Sequence, residues 1–597
     1  MERSGTGTLV REPAVGSLGV LADRRDGLQT DDEHVAERAP RSFARRIAGE
    51  GAIVFLLVLG AFLVVAWLLD FKYTSFSGDA FARMANGFYV LYSRDPHLAA
   101  IGFVWEPLQS VADTLFLVGN HLWPALSHND MAGSLTSSLA MAGAAYQIWA
   151  ALREWNVTRT PRLVLTALFA VNPMILFYAG NGMSEGLYLF TLTASTRYLL
   201  RWIHRGDLRS LAYAGIALAF SYLTRNEAAA AALLGVAVVG AVSYARAYGN
   251  LKARASTAMS DVVVFGSPPF IAAAGWAITS YVITGYPFEQ LSSIYGNSMQ
   301  ELHLPHKSFQ GRVLYEVHAI GALAPLMIIV LIAAVAVAFL RRDPGVMAPL
   351  AVLGGALGFS MLALLHNNIE NFFRYFIVAV PLEVFLLGGI IAAIQTARPT
   401  REDVLPGEAI ASAPSTRRTM VVLASVALVV VVMVPATFTT GSAMLNPKIG
   451  WEETQQLGFV FHEHLNQVDL RWRNRYPQEL ALGSYFDALR LPDGDVVTDN
   501  STSCVPEMIT TMNQPKLFVI PNDRDYQRIV ADPITFNVHY VLEPDPTVTP
   551  VTAMNIQYPN LWTSGAGFTK RVHQFPARGT CPAFRLFRVI RHSNEVG

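Results

Sequence analysis

Asp79 and Arg83 stand four residues apart in the stretch Ser75-Phe-Ser-Gly-Asp-Ala-Phe-Ala-Arg-Met-Ala-Asn-Gly-Phe-Tyr89. On a helix, that spacing puts both on one face. A carboxylate there can take a proton from an attacking hydroxyl, and a guanidinium can hold an anionic oxygen cluster such as a phosphate. Four further segments carry ionisable or polar groups of the same kinds. They are Arg94-Asp95-Pro96-His97 with Trp105-Glu106-Pro107-Leu108, the run from Asn172-Pro173 to Gly182-Met183-Ser184-Glu185, Thr224-Arg225-Asn226-Glu227, and His366 to Arg374-Tyr375. Asp79 is the candidate base. Arg83, Arg225, Arg374 and His366 are the candidate cations for a phosphate. Arg94, Asp95, His97, Glu106, Glu185, Asn226, Glu227 and Tyr375 are the candidate substrate contacts, although Tyr375, with Trp105 and Trp123, also fits an interfacial aromatic belt.

The elements that must position these groups are apolar. The chain has 597 residues, of which 52% are hydrophobic and 15% charged, with mean hydropathy +0.33. Ordinary soluble domains carry about 25% charge, so much of this chain is dissolved in lipid. The reading is a polytopic α-helical membrane protein in the plasma membrane. Zero net charge leaves no basic surplus for phosphate-backbone contacts, which excludes nucleic acid as a partner.

Residues 1–46 lack apolar periodicity and predict a disordered cytoplasmic tail. Residues 51–69 are long enough to cross about 30 Å of hydrocarbon. Further spans are expected near 129–152, 162–180, 185–203, 209–224, 227–245, 261–283, 317–339, 346–365, 376–396 and 420–438, about eleven helices in all within a membrane region 47–438. Arginines gather in alternate connections, which by the positive-inside rule puts the N-terminus in the cytoplasm. A long first extracytoplasmic loop then covers 71–127, and all five polar segments face outward. Glu383, nominally inside a span, has no partner that the sequence identifies.

This topology places 439–597 outside as well, in a compartment where disulfides persist. Both cysteines, Cys504 and Cys581, lie there. A Cys504–Cys581 bond is expected, with a free buried pair as the alternative. Short apolar runs at 495–499, 516–520, 538–542, 571–575 and 584–590, interleaved with helical stretches, predict an extracytoplasmic α/β domain. Without a phosphate-cradling glycine motif or a nucleophile elbow, its expected role is to shape the acceptor side.

The ordered set Gly78-Asp79-Ala80, Trp105-x-Pro-Leu108, Asn172-Pro173 to Gly182-Met-Ser-Glu185, Thr224-Arg-x-Glu227 and Arg374-Tyr375 resembles the GT-C superfamily, the protein-mannosyltransferase and aminoarabinose-transferase kind included. The resemblance spans roughly 50–400. It implies an integral-membrane glycosyltransferase that takes a sugar from a polyprenyl-phosphate donor to an extracytoplasmic glycan, lipid or protein. It implies the catalytic acidic role for Asp79 and donor or acceptor contacts for Glu185, Arg225, Glu227 and Arg374. Many members carry paired acids in the first loop and use a divalent metal. Here Ala80 follows Asp79, so no metal ligand is assigned and a divalent metal stays open as a cofactor. The competing reading is a transporter or flippase of lipid-linked glycans. Such proteins often show internal repeats and ionisable groups near the midplane, whereas this sequence has no internal repeat and its charges fall at the outer face.

Overall fold

The computed structural model describes residues 41–292, 308–396, 414–549 and 551–590. Most of the expected N-terminal tail lies outside these residues. Contacts divide the chain between Val54 and Phe55. Of the first unit, the described part is the beginning of helix α1 (Arg41–Trp67), which starts several residues before the tail was expected to end.

Six helical stretches are long and apolar enough to cross a membrane: Gly49–Tyr73, Ala228–Arg246, Leu251–Thr284, Pro344–Leu365, Phe373–Thr396 and Thr416–Met444. Two bent pairs raise this to eight, so the chain is a multi-pass membrane protein, with fewer qualifying spans among the described residues than the eleven expected. The bends have physical causes. The expected span 162–180 is two helices, Arg159–Ala170 and Pro173–Gly180, meeting at 61°; Pro173 has no N–H to continue the first helix, and Asn172 caps the second by accepting from Met174 N at 3.0 Å. The expected span 317–339 is likewise Phe309–Leu323 and Met327–Arg341, bent by 72° around Pro325. Expected spans at 129–152, 185–203 and 209–224 form helices α3 (Met131–Glu154), α4 (Glu185–Arg205) and α5 (Leu208–Tyr222). The last has 15 residues, too few to span on its own.

The first expected loop is not irregular. It contains helix α2 (Gly78–Tyr92), which buries Phe81, Met84, Ala85, Phe88 and Tyr89. These positions form the apolar stripe of an amphipathic helix. They join a core with Phe486, Val505, Met508 and Phe518 from the C-terminal region, so α2 is held between the helical bundle and the C-terminal region.

That region contains a mixed five-stranded sheet, β1 (Val496–Val497), β2 (Phe518–Val519), β3 (Tyr540–Pro544), β4 (Thr569–Phe575) and β5 (Phe584–Val589), in the order β2-β1-β3-β5-β4. The pairs of β1 with β2 and β3 are parallel, and those of β5 with β3 and β4 are antiparallel, with Leu542 opposite Leu586. Each strand overlaps one of the apolar runs. Cys504 and Cys581 are joined in a disulfide across 77 residues of sequence.

Candidate active site

The site is assembled around Arg374, which is 4% exposed and follows the turn after helix Met347–Leu365. Its Nη2 donates to Asp79 Oδ2 at 2.7 Å, and its Nη1 to Glu452 Oε1 at 2.7 Å. Its Nε lies 3.8 Å from Glu185 Oε1. The same Glu185 oxygen accepts from Arg225 Nη1 at 2.7 Å, and Arg225 also holds Glu227 through Nε and Nη2 at 3.0 and 2.6 Å. Tyr375 lies between the two guanidiniums, 5.2 Å from Arg225 and 5.7 Å from Arg374 by ring centroid. Five segments far apart in sequence thus share one charged network.

Local structure explains how each group arrives. Asp79 sits in the first turn of α2, where the exposed N–H groups favour an anion. Glu185 opens α4 in the same way. The turn before it passes through Gly182 at φ +74°, a left-handed conformation that glycine adopts without steric cost. Gly186 then lets α4 lie directly against α3, since a β-carbon there would stand 2.6 Å from Ser137 O. Leu108 N donates to Leu223 O at 2.9 Å, which ties the Trp105–Leu108 step to the segment carrying Arg225.

Asp79 and Arg83 share a helical face but make no ion pair with each other. Arg83 lies over Trp105 at 4.9 Å, with Nη1 3.8 Å from Met183 Sδ, and no carboxylate pairs with it among the described residues. Arg374 Nη1 touches the same sulfur at 3.8 Å. Asp79 keeps 42% of its side chain open. The surrounding protein disfavours its charge, but Arg374, Arg83 and Arg225 prevail and hold its pKa below the ordinary value. Glu106 is the converse: burial, with Glu227 adding to it against the pull of Arg83 and Arg225, pushes its carboxyl up to about 7.

Several expected contacts lie elsewhere. Arg94 pairs with Asp523 at 3.0 Å and with Asp525, and Asp95 receives Arg524 Nε at 3.0 Å. His97 Nδ1 lies 2.6 Å from Asp95 O. Arg94 and Asp95 fasten the loop after α2 to the C-terminal region, and His97 bonds within the loop. The physical reason is that α2 ends at Tyr92, so they follow its far end while Asp79 starts it. His366 is exposed at the end of helix Met347–Leu365, and neither it nor the Asn226 side chain bonds to the charged network among the described residues.

Sequence reasoning missed Glu452 and Glu453. They open helix α6 (Trp451–Phe461), just beyond the last apolar stretch. Glu453 accepts from Tyr178 OH at 2.7 Å, and Ser75 Oγ donates to Gln456 O at 2.7 Å. Burial, reinforced by Glu453 and opposed by Arg374, pushes the Glu452 carboxyl well up. The signal was available: an acid at the outer end of an apolar run is what singled out Glu185.

Among the described residues, one group brings potential metal ligands within 4.8 Å of one another, Glu479 with Cys504 and Cys581. Its sulfurs are bonded to each other and offer no thiolate. Glu479 accepts from Arg475 Nε at 2.7 Å. It is a candidate by proximity, but its donor set does not fit a resident metal.

No protein-family model matches the chain, and no curated protein does. Among solved structures, ArnT from Cupriavidus metallidurans bound to undecaprenyl phosphate is similar over 91% of this chain and 98% of its own, at 12% identity and TM-score 0.48. The archaeal oligosaccharyltransferase AglB from Archaeoglobus fulgidus, in complex with an inhibitory peptide and a dolichol-phosphate, is similar over 91% of this chain and 75% of its own, at 12% identity and TM-score 0.40.

Proposed function

We propose that this protein is a membrane glycosyltransferase that moves a sugar from a polyprenyl-phosphate donor to an extracytoplasmic hydroxyl acceptor, with inversion at the anomeric carbon. The observation that carries the reading is the pairing of a partly open carboxylate, Asp79, with a buried guanidinium, Arg374, at 2.7 Å, beside a second buried guanidinium, Arg83, that lacks a carboxylate partner among the described residues.

In the reaction, the acceptor oxygen forms its bond to the anomeric carbon as Asp79 takes the acceptor's proton. The bond from that carbon to the phosphate oxygen breaks with its electron pair, and polyprenyl phosphate leaves. A positioned base contributes about 10²–10⁴-fold to such a step. The departing phosphate gains negative charge, and cations fixed in place stabilise it without reorganisation. Arg83 suits that role best, because Arg374 and Arg225 already hold acids. Glu185 orients both of those guanidiniums, Glu227 orients Arg225, and Tyr375 separates them. The apolar helices give the donor's lipid tail a sideways approach from the bilayer.

The test incubates purified protein in liposomes with a panel of polyprenyl-phosphate sugars and acceptors, and follows labelled sugar. Appearance of sugar on acceptor with release of polyprenyl phosphate supports the reading. Labelled lipid crossing the bilayer with no donor consumed would replace it with transport.

A further inference from the structure

Helix α4 begins at Glu185 in the charged network and ends at Arg205. At about 1.5 Å per residue, its last turn lies about 30 Å from the site. There, between the ends of α3 and α4, is a separate cavity of about 410 Å³.

Its wall is rich in donors. Arg153, Arg197 and Arg205 line it, together with Trp149, Tyr146 and Asn156. Glu154 is the one acid of the lining; its charge is paired through one oxygen, while Oε2 has no hydrogen-bond partner among the described residues. Its Oε1 accepts from Arg197 Nε at 3.1 Å and Nη2 at 2.6 Å, and Arg201 Nη1 lies 3.9 Å away. Arg197 also donates to Gln147 Oε1 at 2.7 Å. Arg153 and Arg205 have no carboxylate partner among the described residues. Arg153 lies over the Trp149 ring at 5.7 Å, which orients it. The indole N–H of Trp149, a residue 2% exposed, finds no acceptor. An unanswered buried donor in the wall is uncommon in native proteins.

Basic residues at a helix end are ordinary in membrane proteins, and the positive-inside rule accounts for their number. It does not account for their convergence on a concavity whose sole acid is neutralised and whose wall holds an orphaned N–H. We propose that this cavity binds a phosphate group, a mono- or diester carried by an anionic lipid headgroup or by a soluble phosphate. Arg153 and Arg205 supply the charge, and the Arg197–Glu154 pair forms the floor. Guanidinium forks match phosphate oxygens in geometry as well as charge, and basic pockets between membrane helices suit lipid headgroups. The site is independent of the chemistry at Asp79.

The test compares wild type with the Arg153→Ala/Arg205→Ala double variant. Both side chains are exposed, so the fold persists, which a melting curve checks. One arm counts lipids retained by native mass spectrometry after passage through nanodiscs of phosphatidylglycerol or of phosphatidylcholine. A second arm titrates glycerol phosphate and inorganic phosphate against protein in neutral detergent. Selective retention of phosphatidylglycerol, reduced about tenfold in the double variant, assigns a lipid headgroup. Binding of the soluble phosphates alone, with the same loss, assigns a soluble ligand. Glu154→Gln, which removes the counter-charge, strengthens either one. Equal retention by wild type and a folded double variant, or no phosphate binding in either arm, overturns the proposal.

Discussion

Arg374 joins Asp79 to Glu452, donating at 2.7 Å to one carboxylate from each of two η nitrogens. One planar cation therefore fixes the first turn of α2 against the first turn of α6. The geometry leaves Asp79 ionised and partly open, as a base must be. If Asp79 takes the acceptor's proton, Asp79→Asn lowers kcat about 10²–10⁴-fold. Donor affinity changes little, because the phosphate contacts remain. Radiolabelled transfer at saturating donor measures the first, and donor titration the second. Transfer that survives undiminished removes Asp79 from the mechanism.

Glu452 is expected to act as a positioning residue through its acceptor oxygen more than through its charge, since burial disfavours its ionised form. Glu452→Gln keeps an acceptor for Arg374 Nη1 and retains transfer within a few-fold. Glu452→Ala leaves that nitrogen unpaired. A hydrogen bond to a charged group contributes about 1.5–3 kcal/mol, so the alanine variant loses about ten-fold or more. Equal loss in both variants would mean that charge is what matters. No loss in either would take Glu452 out of the site.

The order of polar segments along the chain was enough to bring Asp79, Glu185, Arg225, Glu227, Arg374 and Tyr375 together, because each stands at the start or end of an apolar run. Helix ends beside a membrane share a level, and alternate ends share a side. The same reasoning misplaced Arg94, Asp95 and His97: a loop's position in sequence does not say which end of its internal helix faces the site. It overlooked Glu452, because the chain beyond the last span was treated as a separate body. The bend inside one expected span escaped notice for a related reason. Hydropathy reads the stretch 162–180 as continuous, but Pro173 breaks it, and only backbone hydrogen bonding shows the bend.

Arg94 offers a direct contrast with a substrate contact. Asp523, its partner, has no exposed side-chain surface, and burial, opposed by Arg94, raises its carboxyl to about 6. Arg94→Ala leaves that group buried without its cation, with the Ile520 N–H still donating to it at 3.2 Å, at a cost of about 1–3 kcal/mol. The expected result is a lower melting temperature, with kcat and KM unchanged when measured well below it. Asp523→Asn added to Arg94→Ala recovers part of the loss, as a double-mutant cycle requires for a direct pair. Arg524→Ala, at a side chain 69% exposed, changes little. A raised donor KM in Arg94→Ala with unaltered melting would return Arg94 to the site.

Glu106 makes the pH dependence of the site a measurable quantity. Its carboxyl, ordinarily near 4.5, titrates in the folded protein at about 7, so the folded state holds that proton more tightly than the unfolded chain does. Stability from this group is complete below pH 4.5 and is lost as pH rises towards 7. The total is on the order of 3 kcal/mol, at about 1.4 kcal/mol for each tenfold change in proton affinity. Glu106→Gln, which mimics the protonated form, therefore melts above wild type at pH 8 and close to it at pH 5. Other buried acids titrate in the same range, but they are common to both proteins and cancel in the difference. Kinetics provides a second reading. A neutral Glu106 leaves the field of Arg83 and Arg225 undiminished for a phosphate, whereas an ionised one opposes it. Donor KM in wild type rises between pH 6 and 8, and in Glu106→Gln it rises less across that interval. Parallel melting curves for the two proteins would show that Glu106 titrates as an ordinary carboxylate, and parallel KM profiles would separate it from the phosphate-binding cations.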